Sequence, residues 1–281
     1  MEDTKNYSVL MSVYYKENPD WLKESIESML KQTIRTNDFV LIEDGKLTKE
    51  LEDIVLEYER KYPDIFNVVR LEENVGLGPA LEKGINACKN EIIARMDSDD
   101  IAVSKRCEEE LKIIREYTDI DMVGSNIAEF IGDIDNIQAF RKLPEKDEEI
   151  KKYMKRRNPF GHPSVMFKKS KVIEAGNYRA YYLCEDYDMW IRMAQKNAKF
   201  YNIQDVLVYM RISEDFYKRR GGVKYLKSIL KFKKEQYKNG FYSFKDYIIT
   251  SGTSSIVCLM PNKVREIFYK KILRKGNENE R

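Results

Sequence analysis

The sequence predicts an α/β fold: a mostly parallel central sheet flanked by helices, followed by a basic helical appendage. Three observations carry this. Short apolar runs alternate with amphipathic stretches between Tyr7 and Asp100, the spacing of βαβ units with right-handed crossovers. The first run is apolar on both faces, as the central strand of a buried parallel sheet is. The fourth run ends at Met96 and is followed by Asp97, Asp99 and Asp100, at the strand end where open α/β sheets bind ligands.

In order, residues 7–15 read as a central strand dense in Val, Leu, Met and Tyr. Asn18-Pro19-Asp20 opens a helix with Leu22, Ile26, Met29 and Leu30 on one stripe. Residues 39–43 form the second strand, closed by Asp44-Gly45. The next helix sets Leu51, Ile54, Val55 and Tyr58 on one face and stops before Pro63. Residues 66–71 give a third strand, a Gly-rich turn opens a helix through Leu81 and Ile85, and residues 92–96 give the fourth strand. Helices are expected over 104–117, 145–157 and 186–196. Strands are expected over 122–131 and 165–168, with two short ones over 200–203 and 206–212. Beyond Gly221-Gly222 the pattern turns helical and basic. This divides the chain into an α/β domain, 1–215, and a basic helical region, 216–281.

With 281 residues, 42% apolar and 35% charged, the chain can bury a real core. Its net charge of +3 conceals an asymmetry: from Glu214 onward there are about seventeen Lys/Arg against about seven Asp/Glu. A basic end on an acidic body suggests an anionic surface, and lipid headgroups are favoured because no nucleic-acid module accompanies the charge. Cys88, Cys107, Cys184 and Cys258 lie far apart and there is one histidine. That argues against a Cys/His zinc site and against a disulfide framework. Residues 1–6 are polar, and the greasiest window, 247–260, is interrupted by Thr250-Ser251-Gly252-Thr253-Ser254-Ser255. Neither looks like a signal peptide or a membrane span. The expectation is a cytoplasmic protein, peripheral on the inner face of the plasma membrane.

The candidate site residues follow from chemistry. Carboxylates as dense as Asp97 and Asp99 repel one another, so both could reach a hard divalent ion that keeps positions open for a phosphate-bearing ligand. The alternative is a plain turn capping the next helix. Asp44, at a strand end, can accept hydrogen bonds from a ribose hydroxyl or a base N–H. In Glu73-Asn74-Val75-Gly76-Leu77-Gly78-Pro79 the glycines permit close backbone approach before a helix N-terminus. The third glycine of a dinucleotide fingerprint is missing, which disfavours nicotinamide binding. In Cys184-Glu185-Asp186-Tyr187-Asp188 the acids either complement a helix dipole or hold one carboxylate ready to take a proton.

Together these residues resemble the inverting family 2 glycosyltransferases of GT-A type, a Rossmann-like fold. The resemblance runs through Ser12-Val13, Glu43-Asp44-Gly45, Asn74-x-Gly76, Gly84-Ile85-Asn86, Asp97-x-Asp99 and Glu185-Asp186-Tyr187-Asp188-Met189-Trp190. The subgroup looks like transferases of amylovoran and exopolysaccharide assembly, which carry sequences similar to His162-Pro163-Ser164-Val165-Met166-Phe167 and Lys218-Arg219-Arg220-Gly221-Gly222. The resemblance implies that Asp44 contacts the uridine end of a nucleotide-sugar donor and that Asp97 lies by the ribose and diphosphate. It implies that Asp99 ligates Mn²⁺ or Mg²⁺ and that Asp186 is the general base, with Glu185 or Asp188 next in line. Arg219 and Arg220 would clamp the diphosphate, with Gly76 lining the donor. His162 and Glu185 are candidates for an acceptor or metal contact, His162 equally for ordering its loop. The acceptor implied is a glycan or lipid-linked sugar. Many relatives place a histidine after the arginine of the last strand; here Met210-Arg211-Ile212-Ser213 has none, which leaves the third metal ligand open. The rival readings are a sugar nucleotidyltransferase, disfavoured because 14–19 lack the Gly-rich loop a triphosphate needs, and a non-catalytic nucleotide-sugar-binding protein.

Overall fold

A computed structural model describes residues 6–213 and 221–268. Its sheet grows outward from β1 (Tyr7–Val13), which pairs in parallel with β2 (Asp38–Glu43) and with β4 (Ile92–Asp97). β3 (Phe66–Arg70) continues the row beside β2, also in parallel. The crossovers are α1 (Pro19–Leu30), α2 (Lys49–Lys61) and α3 (Leu77–Ala87). Asn18 caps α1 by accepting from the amides of Asp20 and Trp21, and Pro19 stands where its missing N–H costs nothing.

Past β4 the sheet becomes mixed. β8 (Met166–Lys168) lies antiparallel to β4, β6 (Met122–Phe130) antiparallel to β8, and β9 (Phe200–Arg211) parallel to β6. The two-residue β5 (Ile101–Ala102) ends the row against β9, and β7 (Ile137–Arg141) pairs with β6. The longest ladders are parallel, as the sequence predicts. Strand alternation then sorts the core onto two faces. Val9, Met11 and Val13 meet α1, α2 and α4 (Arg106–Glu116), whereas Leu10, Val40 and Ile42 meet α3 and α7 (Glu185–Gln195).

Several elements depart from expectation for identifiable reasons. Residues 200–211 form one strand, not two, because the polar pair Gln204-Asp205 bulges out where the β6–β9 register shifts at Asn126. The charged helix starts only at Asp147 (α5, Asp147–Met154), since Lys146 bridges Tyr201 and the Glu145 carbonyl accepts the Asn202 amide. β5, β7, the short α6 (Lys169–Glu174) and a 3₁₀ turn at His162–Ser164 were not anticipated.

Residues 222–268 fold as α8 (Gly222–Lys238), α9 (Phe244–Leu259) and α10 (Asn262–Phe268). They do not stand apart. Ile229, Phe232 and Cys258 enter the cluster that holds Tyr187 and Trp190, and the Phe232 ring lies 5.1 Å from that of Tyr187. The Gln236 amide donates to Asp188 at 3.1 Å. Most of the expected boundary, together with Arg219 and Arg220, lies outside the described residues.

Candidate active site

The acidic turn after β4 is held from three sides. The Ser25 hydroxyl on α1 donates to the Asp97 carbonyl at 2.6 Å. From the end of β9, the Arg211 guanidinium donates to the Asp99 carbonyl at 3.0 Å and its amide to Asp100 Oδ1 at 2.7 Å. That guanidinium lies between the rings of Trp21 and Phe130, 4.9 and 4.5 Å from their centroids. The Ser98 hydroxyl donates to Glu17 at 2.5 Å. So fixed, Asp97, Asp99 and Asp100 bring one carboxylate oxygen each within 4.8 Å of one another.

Such a cluster is costly while it carries no cation. Burial, with Asp97 and Glu17 nearby, pushes the Asp99 carboxyl up to about 7. Burial and then Asp99 and Asp97 push Asp100 well above the carboxylate range. Among the described residues Asp100 Oδ2 is buried without a hydrogen-bond partner, as an oxygen reserved for a water or a cation is. The residues fit a hard divalent cation by donor type, charge and spacing. Asp100 therefore joins Asp97 and Asp99 as a candidate ligand, on the ground where a histidine after Arg211 is absent.

Across the floor of the site stands the start of α7. Gly78 in α3 makes this approach possible, because a Cβ there would sit 2.2 Å from the Arg179 carbonyl and 3.4 Å from Glu185 Cβ. Leu183 takes a left-handed backbone, φ 59, and turns the chain into the helix. Glu185 is buried, and burial followed by Asp186 raises its carboxyl to about 7. Asp186 is half-buried; its carboxylate accepts from the Asn158 amide at 2.6 Å and from the Tyr187 amide at 2.7 Å. Asp188 differs. Fully buried, it accepts from Arg192 at 2.8 Å and from Gln236, while Arg192 also donates to the Ala175 and Asn177 carbonyls. Its carboxylate is a structural tie, which removes it from the candidate bases.

Arg95 joins the two halves. Its side chain is buried at the end of β4 and its guanidinium donates to Asp97. The same positive charge acts on Asp99, Asp100, His162, Tyr178 and Glu185. Asp97 and Asp186 in turn both raise the Tyr178 hydroxyl, behind the larger effect of its burial. Arg95 thus pairs with the acidic turn through Asp97, and its charge also reaches Glu185 at the start of α7.

The remaining predicted residues are placed as follows. Asp44, buried, accepts from the Val75 amide at 2.7 Å and from the Gly76 amide and Asn74 side chain, each at 3.1 Å. It braces the loop before α3, and Gly76 caps that helix at φ 89 with open space where a Cβ would point. His162 Nε2 is 2.8 Å from the Tyr178 hydroxyl, its ring packs beside Tyr178 and Trp190, and burial holds its pKa well below the usual histidine range. Arg95 and Asn158 were missed. An arginine inside an apolar run reads as an interruption, and Asn158 before Pro159 reads as a turn.

An acidic turn at the end of β4, faced by acids at a helix start above a mostly parallel sheet, defines a GT-A glycosyltransferase as a class. Residues 8–174 match glycosyl transferase family 2, and the chain belongs to that family. Over 274 residues, covering 98% of both chains, it is 38% identical to an Escherichia coli UDP-Gal:alpha-D-GlcNAc-diphosphoundecaprenol beta-1,3-galactosyltransferase. It is 33% identical to the amylovoran biosynthesis glycosyltransferase AmsE of Erwinia amylovora, covering 96% of this chain and 100% of that one. Two solved structures share the fold. The mannosyltransferase PcManGT from Pyrobaculum calidifontis, in complex with GDP-Man and Mn²⁺, superposes with a TM-score of 0.64 at 12% identity over 94% of this chain and 74% of that one. S. aureus TarS 1-349 in complex with UDP-GlcNAc gives 0.59 at 17% identity over 95% and 87%. The protein is a glycosyltransferase.

Proposed function

We propose that the enzyme is an inverting, metal-dependent transferase. It moves a sugar from a nucleoside-diphosphate donor, a UDP-sugar by analogy with its relatives, to a hydroxyl of a glycan or lipid-linked acceptor. The setting is bacterial surface polysaccharide synthesis, with the basic C-terminal region against an anionic membrane surface. The observation that carries this is the buried Arg95, which donates to Asp97 and whose charge also reaches Asp99, Asp100 and Glu185. A donor diphosphate and an acceptor hydroxyl would meet between them.

In this reading Asp186 takes the proton of the acceptor hydroxyl, its carboxylate oriented by Asn158 and by the Tyr187 amide. The acceptor oxygen forms a bond to the anomeric carbon as the bond from that carbon to the diphosphate breaks, so a single displacement inverts the centre. Glu185, its carboxyl raised by burial and then by Asp186, sits beside the base. Asp99, with Asp97 and Asp100, would hold Mn²⁺ or Mg²⁺, which when bound offsets the negative charge of the diphosphate. Asp44 and Gly76 shape the donor end through the loop they brace, Arg219 and Arg220 would close over the diphosphate, and His162 supports the floor through Tyr178.

A thermal-shift panel of nucleotide sugars with and without Mn²⁺ tests this. A donor at about a hundred times its Kd should stabilise the fold by about 2.7 kcal/mol, a rise of roughly 5 °C, and only with the metal present. An identical rise with and without Mn²⁺, or none with any nucleotide sugar, contradicts the proposal.

A further inference from the structure

α9 carries one lysine and one aspartate in 16 residues, and of its side chains only Thr250 and Cys258 are buried. Lys233 of α8 pins its inner face by donating to the Thr250 carbonyl and the Ser254 hydroxyl, at 2.5 and 2.7 Å. The outer face is left bare. Ile248, Gly252 and Ile256 recur every four residues, with Phe244, Ile249 and Leu259 flanking them. Their five large side chains are between 52% and 65% exposed. A contiguous apolar stripe of this kind marks a contact surface.

The basic residues of the same helical region say what covers it. Lys224, Lys227, Lys231, Lys234 and Lys238 are exposed on α8, on the side away from its buried Ile229, Phe232 and Gln236. Lys245 lies within the stripe and Lys263 at the start of α10. Of the two acids on α8 and α9, Asp246 is engaged by the Ser243 cap. A second copy seated across a twofold axis would set these lysines against one another. An anionic bilayer matches both features, apolar stripe to acyl boundary and lysines to headgroups. No helix among the described residues is long and apolar enough to cross a membrane, so a bilayer contact made by α9 would be interfacial and not spanning.

We infer that the outer face of α9 is a bilayer-docking surface, seated on anionic lipid with the α8 lysines at the headgroups. The inference rests on the transferase reading, to which it adds the direction from which the acceptor arrives. α8 runs along the segment that leads into Asp186: the Ser228 hydroxyl donates to the Tyr182 carbonyl at 3.0 Å, and Lys224 lies 4.6 Å over the Tyr182 ring. A lipid surface against α8 and α9 thus borders the acceptor side of the site, and a sugar borne on that surface has a short path to the base.

The test is flotation of the full chain with phosphatidylcholine vesicles carrying about one-third phosphatidylglycerol, against pure phosphatidylcholine. Binding should fall about tenfold or more on the neutral vesicles, and about tenfold or more on the anionic ones in the Ile248→Ser/Ile256→Ser variant. Both isoleucines are exposed, so the variant should keep the wild-type melting temperature and its shift with UDP and Mn²⁺. Absence of wild-type binding at low salt overturns the inference, as does undiminished binding by the variant. A wild-type dimer that the variant converts to monomer, read by sedimentation equilibrium, also overturns it by assigning the stripe to a second copy. Loss of the UDP and Mn²⁺ shift from a wild-type chain that still floats would defeat the transferase reading and leave the docking surface standing.

Discussion

Asp186 and Asp188 stand two residues apart on α7, and their surroundings separate them. Asp188 has no route to solvent and is tied to Arg192 and Gln236. Asp186 is half-buried at the helix start, held by an asparagine amide. Removing one partner of a buried ion pair leaves the other charge uncompensated. Asp188→Ala should therefore lower the stability of the fold by about 3–5 kcal/mol in a urea titration. Asp186→Asn should stay within about 0.5 kcal/mol of wild type, as substitutions away from such ties do. Comparable losses at both positions would mean that the two acids are not divided between structure and chemistry in this way.

At the scale of elements, α9 is fastened to α8 by a lysine that, among the described residues, donates to a carbonyl and a hydroxyl and to no carboxylate. Burial lowers the Lys233 ammonium to about 8, from an ordinary value of 10.5. Its folded pKa is depressed, so the stability that goes with the neutral amine is fully present above the unfolded pKa and lost as pH falls through the folded one. Between pH 8 and 10.5 the unfolded chain binds the extra proton, and the wild type should gain stability over Lys233→Met as pH rises, by an amount on the order of 2 kcal/mol. A stability difference that stays flat across this window, by denaturant titration at several pH values, would contradict the assignment. The same scale shows what sequence could convey. β1, β2, β4 and the flanking helices were legible because buried strands are largely apolar on both faces and the helices each keep one apolar stripe. β5 is too short to carry a period, and β7 alternates without a fully buried residue. β9 was split in two because Gln204-Asp205 looks like a turn when it is a bulge. In the site, Asp97, Asp99 and Asp186 stood out by density of charge. Arg95 did not, because only the fold shows that an arginine in a buried strand pairs with the acid that opens the turn after it.

Across the whole molecule, the sheet brings together residues that lie far apart in sequence. β4 delivers Arg95 and the acidic turn, β9 locks that turn through Arg211, and α7 brings Asp186 over the approach allowed by Gly78. The central claim is a division of labour between the two acidic groups: one gathers the donor, the other activates the acceptor. It is tested most directly by measuring UDP affinity in Mn²⁺ and single-turnover sugar transfer, on the donor picked out by thermal shift, for Asp99→Asn and Asp186→Asn side by side. Asp99→Asn should weaken UDP binding in a metal-dependent manner. Asp186→Asn should bind UDP as the wild type does while transfer slows by about 10²–10⁴. Near wild-type transfer by Asp186→Asn, or a loss of UDP affinity equal to that of Asp99→Asn, would contradict the account.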